Sequence, residues 1–325
     1  MKTRLRLLAI GLLSIAPASL ACLWDTDTIV MEKARFPEVA ELIAGKFPRH
    51  SREFYEWRMK RCLSEIAKGN KTPGLLDDLA VAQHKLGDHP AAISTMQEKE
   101  AAFPGIYETY SNLGTFHIYA GDLDEAEKWI SRALEINPNA HFGREKCQLW
   151  LVQWLKAGKP RIQNTRQFEH SVDYSGFSAF IVKQSGFTDA SWAWKEGRAE
   201  ALKGILGMMR FADHDNPLLL EALGDVLLTG NFQENASLLA AQSYLLASRK
   251  SKTDTEKQRL WKLMEQAGGT TSEYKPRDTM RTLDAALAEG RLLLEKVRRD
   301  ELVWIKSGKD VAALFAAKYL TKSAK

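Results

Sequence analysis

Two stretches of this chain repeat with a step of 34 residues. Gly87-Asp88 recurs as Gly121-Asp122, and Pro104 recurs as Pro138. The apolar positions between these marks fall in step as well. Leu76, Leu79, Ala80, Ala92 and Met96 of the first copy become Tyr110, Leu113, Gly114, Ala126 and Ile130 of the second. A unit of this length cannot bury its apolar face alone, so neighbouring units must stack. Stacked helical hairpins make binding surfaces more often than active sites.

Each copy reads as a helix, a Gly-Asp turn and a second helix, over about Pro73 to Gly105 and Ile106 to Asn139. Small residues at Ala80 and Gly114 let the paired helix come close, and Ala92 and Ala126 do the same from the other side. Gly87 and Gly121 can adopt the left-handed backbone that ends a helix. Pro104 and Pro138 stop the second helices.

These residues resemble the tetratricopeptide repeat family. The second copy carries the pattern Tyr110-x2-Leu113-Gly114-x2-His117, then Ala126-x3-Ile130, then Pro138. The first copy carries Leu76, Leu79, Ala80, Gln83, Ala92, Met96 and Pro104. His141 to Ala157 reads as the first helix of a third unit, whose second helix departs from the pattern at Gly158-Lys159-Pro160. Leu220-x2-Leu223-Gly224-x2-Leu227 with Ala236 echoes the first half again, a degenerate repeat over 217–248 or an ordinary helical hairpin. The resemblance implies an all-α fold: a right-handed helical-repeat solenoid flanked by non-repeat helices. It also implies a concave face lined by the first helices. Carried onto this chain, the ligand-binding groove comprises Asp77, Asp78, His84, Lys85, Glu108, Ser111, Asn112, Thr115, Tyr119 and Glu145. Val81, Ile118, Phe142, Lys146, Leu149 and Gln153 also point into it. That mixture suits a peptide with a basic group and some apolar side chains; the alternative is a solvated face without a ligand. Relatives that grip a C-terminal carboxylate place Lys and Asn on these helices, and Asp77 and Val81 stand in two of those places.

The first residues read as an export signal. Lys2, Arg4 and Arg6 precede an apolar run from Leu7 to Ala16, too short to span a bilayer, and Pro17 and small residues follow. Residues 1–21 are therefore expected to be a signal peptide, which places the mature protein in the periplasm or cell envelope of a bacterium. Cleavage after Ala21 makes Cys22 the first mature residue, a candidate for lipidation or for a disulfide with Cys62. An intermolecular bridge is the third reading of an odd count of three cysteines. Cys147 sits among apolar residues and is expected to be a free core thiol.

The remaining organisation is a helical segment over 22–70, the repeat-like segment over 71–157, and a helical region over 158–325. Helices are expected at about Pro37 to Lys46, Ser51 to Lys68, Ala190 to Phe211, Asp254 to Gln266, Arg277 to Ser307 and Asp310 to Leu320. Lys159 to Asp189 is the least regular stretch. Trp150, Trp154, Trp192 and Trp194, among nine tryptophans, surround it and read as helix-packing core, or as an aromatic patch for a partner. Trp304 and Phe315 suit a cap on the array or a docking element.

Chemical constellations are sparse. Asp25-Thr26-Asp27-Thr28 superficially matches a phosphotransfer nucleophile, but its threonine is one place early and no strand precedes it; the acids are expected to face water while Leu23-Trp24 docks on the first helices. His141 and Glu145 lie one helical turn apart, too few for a metal and better suited to a surface ion pair with Arg144 or Lys146. His214, between Asp213 and Asp215, reads as turn chemistry before Pro217. Cys147 has no evident base partner. The chain shows no phosphate loop, no zinc-protease motif and no nucleophile elbow. There are 46 basic and 41 acidic side chains, and 43 basic ones once the leader is removed, so no basic field favours nucleic acid. The expectation is a non-enzymatic scaffold or assembly factor that binds a protein or peptide, without cofactor, metal or transmembrane segment. The alternatives are an enzyme with its site in the less regular half and a structural oligomer.

Overall fold

The structure is a computed structural model. It describes residues 25–26, 31, 35–139, 144–161, 176–185, 192–228, 235–269 and 275–320. Every regular element among them is a helix. In chain order these are α1 (Val39–Ala44), α2 (Arg52–Ala67), α3 (Pro73–Lys85), α4 (His89–Ala102), α5 (Tyr107–Ala120), α6 (Leu123–Ile136) and α7 (Arg144–Lys156). There follow α8 (Gly176–Ser185), α9 (Trp192–Phe211), α10 (Pro217–Leu228), α11 (Ala236–Lys250), α12 (Asp254–Gly268), α13 (Pro276–Lys306) and α14 (Val311–Phe315), with a π-helical turn over Ala316–Leu320.

The two sequence repeats are α3–α4 and α5–α6. Thr72 caps α3, its hydroxyl accepting from Leu75 N, and Pro73 occupies the first turn, where its missing N–H costs nothing. Asp88 and Asp122 cap α4 and α6 in the same manner. Gly87 and Gly121 hold φ values of +93° and +82°, the left-handed turn that the Gly-Asp pairs foreshadow. The small residues do what their spacing predicts. A Cβ on Gly114 would lie 2.5 Å from Ile130 Cγ1, so α6 seats where only a glycine leaves room. Leu76, Ala80, Val81, Ala92, Met96, Leu113 and Phe116 form one buried cluster across the two units. Removing side chains such as Leu76 and Phe116 from water contributes roughly 1.5–3 kcal/mol each.

The stack continues through α7, which packs on α6 and then on α9. Helix α8 lies within the stretch expected to be least regular, and Phe177 and Ile181 turn into the core. Trp154 is fully buried against Phe177, and Cys147 is buried beside the Ala201 carbonyl, as a core thiol should be. The side chains of Trp192 and Trp194 lie outside the described residues. Helices α10 and α11 repeat the close-approach device, because a Cβ on Gly224 would fall 2.6 Å from the Tyr244 ring. The small residue one turn before Tyr244 is Ala240, fully buried, rather than the Ala236 expected at this position.

The chain then folds back on its own beginning. Helix α13 packs on α11 and also on α1 and α2. Val39, Leu42, Ile43 and Phe47 thereby join the same core as residues of α7 to α13. At the crossing with α1 the approach is backbone to backbone: a Cβ on Gly290 would sit 2.1 Å from the Ala44 carbonyl oxygen. Glu301 of α13 is fully buried and accepts from His50 Nδ1 at 2.6 Å and Ser51 N at 2.9 Å. It thus places a carboxylate at the positive end of α2. Phe315 covers the same spot, 4.0 Å from the His50 ring. Phe315 therefore serves the internal closure of the array.

Candidate functional site

The first helices α3, α5 and α7 carry the residues expected to line a groove. Most of them are buried in pairs that join one helix to the next. Asp77 is 2% exposed and binds Lys99 Nζ through both oxygens at 2.7 Å. Asn112 Nδ2 donates to the same carboxylate at 3.3 Å. Burial pushes the Asp77 carboxyl up to about 7, with the Lys99 ammonium pulling the other way. Ser111 Oγ and Tyr107 OH both donate to Glu145 Oε1, at 2.6 and 2.7 Å. Gln148 Nε2 donates to Thr115 Oγ1 at 2.9 Å. Asp77, Ser111, Asn112, Thr115 and Glu145 therefore form a polar seam between repeats, in which each of these residues has a stated hydrogen-bond partner. Glu145 is in this seam and not in a surface ion pair, and His141 lies outside the described residues.

The groove is also filled by the chain itself. Asp25 is 4% exposed and accepts from Arg58 Nη1 at 3.2 Å, so it does not face water as its acidic surroundings suggested. Thr26 donates to Asp78 through its backbone N at 2.9 Å and through its hydroxyl at 3.0 Å. Asp78 is raised by burial and lowered in part by Arg58. Leu23, Trp24 and Asp27 lie outside the described residues, as does Cys22. Cys62 is buried with a free thiol that burial pushes up to about 11.

A second segment enters from the other side. The loop between α9 and α10 runs from Ala212 to Asn216, and Asn216 caps α10 by accepting from Leu218 N at 2.9 Å. Lys85 Nζ donates to the carbonyls of Phe211 (2.8 Å) and Ala212, the last acceptors of α9. Burial lowers this ammonium to about 8. Asn216 hydrogen-bonds the Tyr119 hydroxyl, and burial raises that phenol. His84 is buried between Phe116 and Tyr119, with its Nδ1 3.1 Å from Nδ1 of His89. Burial holds His84 well below the usual imidazole range, so it is neutral.

Between these segments lies a cavity of about 350 Å³. Its wall includes Val81 and Lys85 from the repeats, Phe47, Arg49 and His50 before α2, and Arg210 to Asp215 around the loop. Of the expected groove residues Val81 and Lys85 line it; Glu108, Asp78 and Tyr119 stay half-buried elsewhere on the face. Arg49 and Arg210 were not legible as site residues, because nothing in their local pattern ties them to the repeats. The Asp213-His214-Asp215 triplet was visible, and its reading as turn chemistry fits the loop it forms.

The site has little equipment for covalent chemistry. Burial pushes the Cys147 thiol up to about 12, which keeps it protonated and unreactive. No group of three or more His, Cys, Asp or Glu among the described residues is placed to hold a metal. No helix among them is long and apolar enough to cross a membrane.

Comparison with known proteins agrees with the geometry. A tetratricopeptide repeat family model matches residues 107–140, the unit built from α5 and α6. Human superkiller complex protein 3 is 24% identical over 123 residues, which are 38% of this chain and 8% of that protein. The chain thus aligns with under a tenth of that relative's length. Repeats of this kind generally mediate protein–protein interaction, and proteins built from them are typically non-enzymatic scaffolds. The chain is an all-α, tetratricopeptide-like solenoid whose unmistakable repeat is the α5–α6 unit.

Proposed function

We propose that this protein is an exported, non-enzymatic scaffold or assembly factor of a bacterial envelope that binds a protein or peptide partner through its repeat face. The observation that carries the reading is the match of residues 107–140 to the tetratricopeptide repeat, the unit whose first helix the resemblance assigns to the concave face. The leader-like first residues support export: a basic start, an apolar run ended by Pro17, and small residues before Cys22. Cys22 is then the first mature residue and can take a lipid anchor.

Burial decides which residues test the face. Asp77 is locked to Lys99, so reversing its charge would report on folding and not on a partner. Glu108 is half-buried at the start of α5 and close enough to Asp77 to act on its carboxyl. The test is crosslinking in the native envelope followed by affinity capture with wild type and Glu108→Lys. Loss of a captured protein in the variant, with unchanged far-UV circular dichroism, supports the face. An identical set of captured proteins removes it. Mass spectrometry of the same preparation reads the processed N-terminus and any lipid on Cys22.

A further inference from the structure

The outward side of α13 combines exposed aliphatic side chains with exposed cations. Its inward side is set by Leu283, Gly290, Val297 and Glu301, all buried. Helical periodicity puts Ala288, Leu292, Lys296, Arg299, Val303 and Lys306 together on the opposite side. Leu292 is 71% exposed and Val303 63%; the other exposed large hydrophobic residues lie between 36% and 49%. The two stand about 16 Å apart along the helix axis. Lys296 and Arg299 are exposed between them, and Lys306 is exposed one turn beyond Val303.

No residue of this stripe is an acid. The acids at its edges are engaged with other cations: Glu289 with Lys46 at 2.5 Å, Glu295 with Arg298 at 3.5 Å and Asp300 with Lys318 at 2.6 Å. Lys296 acts on Asp300, and Arg299 on Tyr319, from a greater distance. Arg291 and Lys309, both exposed, lie at the edges as well. The stripe therefore offers positive charge to a negative surface, and a second copy of the same face would be repelled. A single helix side is convex and carries neither the pocket nor the aromatic anchor that centres a protein interface. Separated aliphatic side chains with long cationic ones between them suit a lipid surface: the aliphatics enter the acyl boundary while the Lys and Arg heads stay among the headgroups.

We propose that the outward side of α13 from Ala288 to Lys306 is a docking surface for an anionic lipid membrane. Leu292 and Val303 insert, and Lys296, Arg299 and Lys306 contact the phosphate headgroups. The surface stands independently of the scaffold reading, since it needs no partner on the repeat face and no lipid on Cys22.

The test is co-flotation of the full chain with two kinds of vesicle: phosphatidylcholine alone, and phosphatidylcholine with about 30% phosphatidylglycerol. The lipid concentration is set so that phosphatidylcholine alone holds less than half of the wild type, and the gain on adding phosphatidylglycerol reads the surface. The expected result is a gain at about 0.1 M salt that disappears at about 0.5 M. Lys296→Gln/Arg299→Gln/Lys306→Gln should weaken the anionic component about a hundredfold, at about fivefold per cation. Leu292→Gln/Val303→Gln keeps the charge and should weaken it at least about tenfold. The control Lys183→Gln/Lys203→Gln/Lys252→Gln removes three exposed lysines from other helices and segments and should keep the gain. Equal binding to both vesicles by the wild type overturns the proposal, as does an equal loss in the control. A gain that survives Leu292→Gln/Val303→Gln, together with displacement from the vesicles by poly-L-glutamate, overturns the lipid in favour of an acidic polypeptide. If the Leu292 and Val303 variant does not fold by circular dichroism, the charge variant against its control decides, and a gain retained in both overturns the surface.

Discussion

The repeat units and the closing helix meet their neighbours over different lengths of chain. In α3 to α6 the contacts are made between chain neighbours, where small apolar residues set the spacing (Ala80, Ala92, Gly114, Ala126) beside the polar seam of Asp77, Asn112, Ser111 and Glu145. Where α13 returns to α1 and α2, the partners are some 250 residues apart in the chain and the key contact is polar, Glu301 on His50 and Ser51. A local seam can form as soon as two helices exist. A distant one can form only after the whole array has brought its ends together, so it specifies closure and not the repeat.

The largest effect should come from removing that contact. Glu301→Ala removes the carboxylate that joins the His50 ring and the Ser51 amide to α13, a loss of about 1–3 kcal/mol for each of the two buried hydrogen bonds. Denaturant melts should show the loss as a lower midpoint. Amide exchange should rise in α1, α2 and α13 while α5 and α6 keep their protection. Uniform deprotection of the repeats would show that closure and repeat are one cooperative unit.

Acid should act next, on the loop between α9 and α10. His214 is held down to about 4, by burial first and then by Arg49, while Asp215 opposes and Lys250 adds to the effect. An imidazole whose folded pKa lies below its unfolded one leaves the native state with fewer protons, so stability falls as pH drops from about 6.5 to 4. The full span corresponds to about 3 kcal/mol, at 1.36 kcal/mol per unit. His84, neutral inside the first repeat, adds in the same direction. Asp213, raised by burial to about 6, opposes it: its folded state gains protons as pH falls through that value. Melting temperature against pH for wild type and His214→Gln checks the balance, and parallel curves would assign the acid loss elsewhere.

These two effects mark where the sequence ran out. The repeat itself was legible down to single residues: Gly87 and Gly121 at the left-handed turns, Gly114 under Ile130, Cys147 in the core. Each follows from a period or a local stereochemical need. The groove was legible only as a face. Asp77, Ser111, Asn112, Thr115 and Glu145 have the positions of groove residues, but whether such a position meets a ligand or a neighbouring helix depends on what else the fold brings there. The partners are Lys99, Tyr107 and Gln148, and the fillers are Asp25, Thr26 and the loop after α9. Helix α8 was missed because its small and polar residues read as loop; it is shaped by Trp154 and the Asp225 carboxylate, which accepts from Phe177 N at 2.8 Å.

The two glycine contacts sharpen the comparison further. At Gly224 an added methyl would strike the Tyr244 ring, whose hydroxyl donates to Asp225 at 2.6 Å. Asp225 in turn binds Arg161, so the ring cannot yield without loosening a buried ion pair. At Gly114 the obstacle is an Ile130 side chain with apolar surroundings. Gly224→Ala should therefore cost toward the upper end of the 1–3 kcal/mol typical of overpacking, and Gly114→Ala toward the lower end. Equal losses in thermal melts would show that the polar network around Tyr244 adjusts as freely as an apolar one.

The smallest expected effect is also the most even. Asp88 and Asp122 each cap the second helix of a repeat, accepting from Ala91 N at 3.1 Å and from Glu125 N at 3.2 Å. Both are exposed, so their value is that of a surface cap, about 1 kcal/mol each on replacement by alanine. Helix α6 carries Asp124 and Glu125 in its first turn, which also favour the positive helix end; α4 carries no acid there. Asp88→Ala thus removes the single acidic contribution at its helix start, whereas Asp122→Ala leaves two nearby. The first substitution should lower the unfolding midpoint more than the second, by a few tenths of a kcal/mol at low salt, with the gap closing as salt rises. A gap that persists in high salt would mean that the turns of the two copies differ in packing and not in charge.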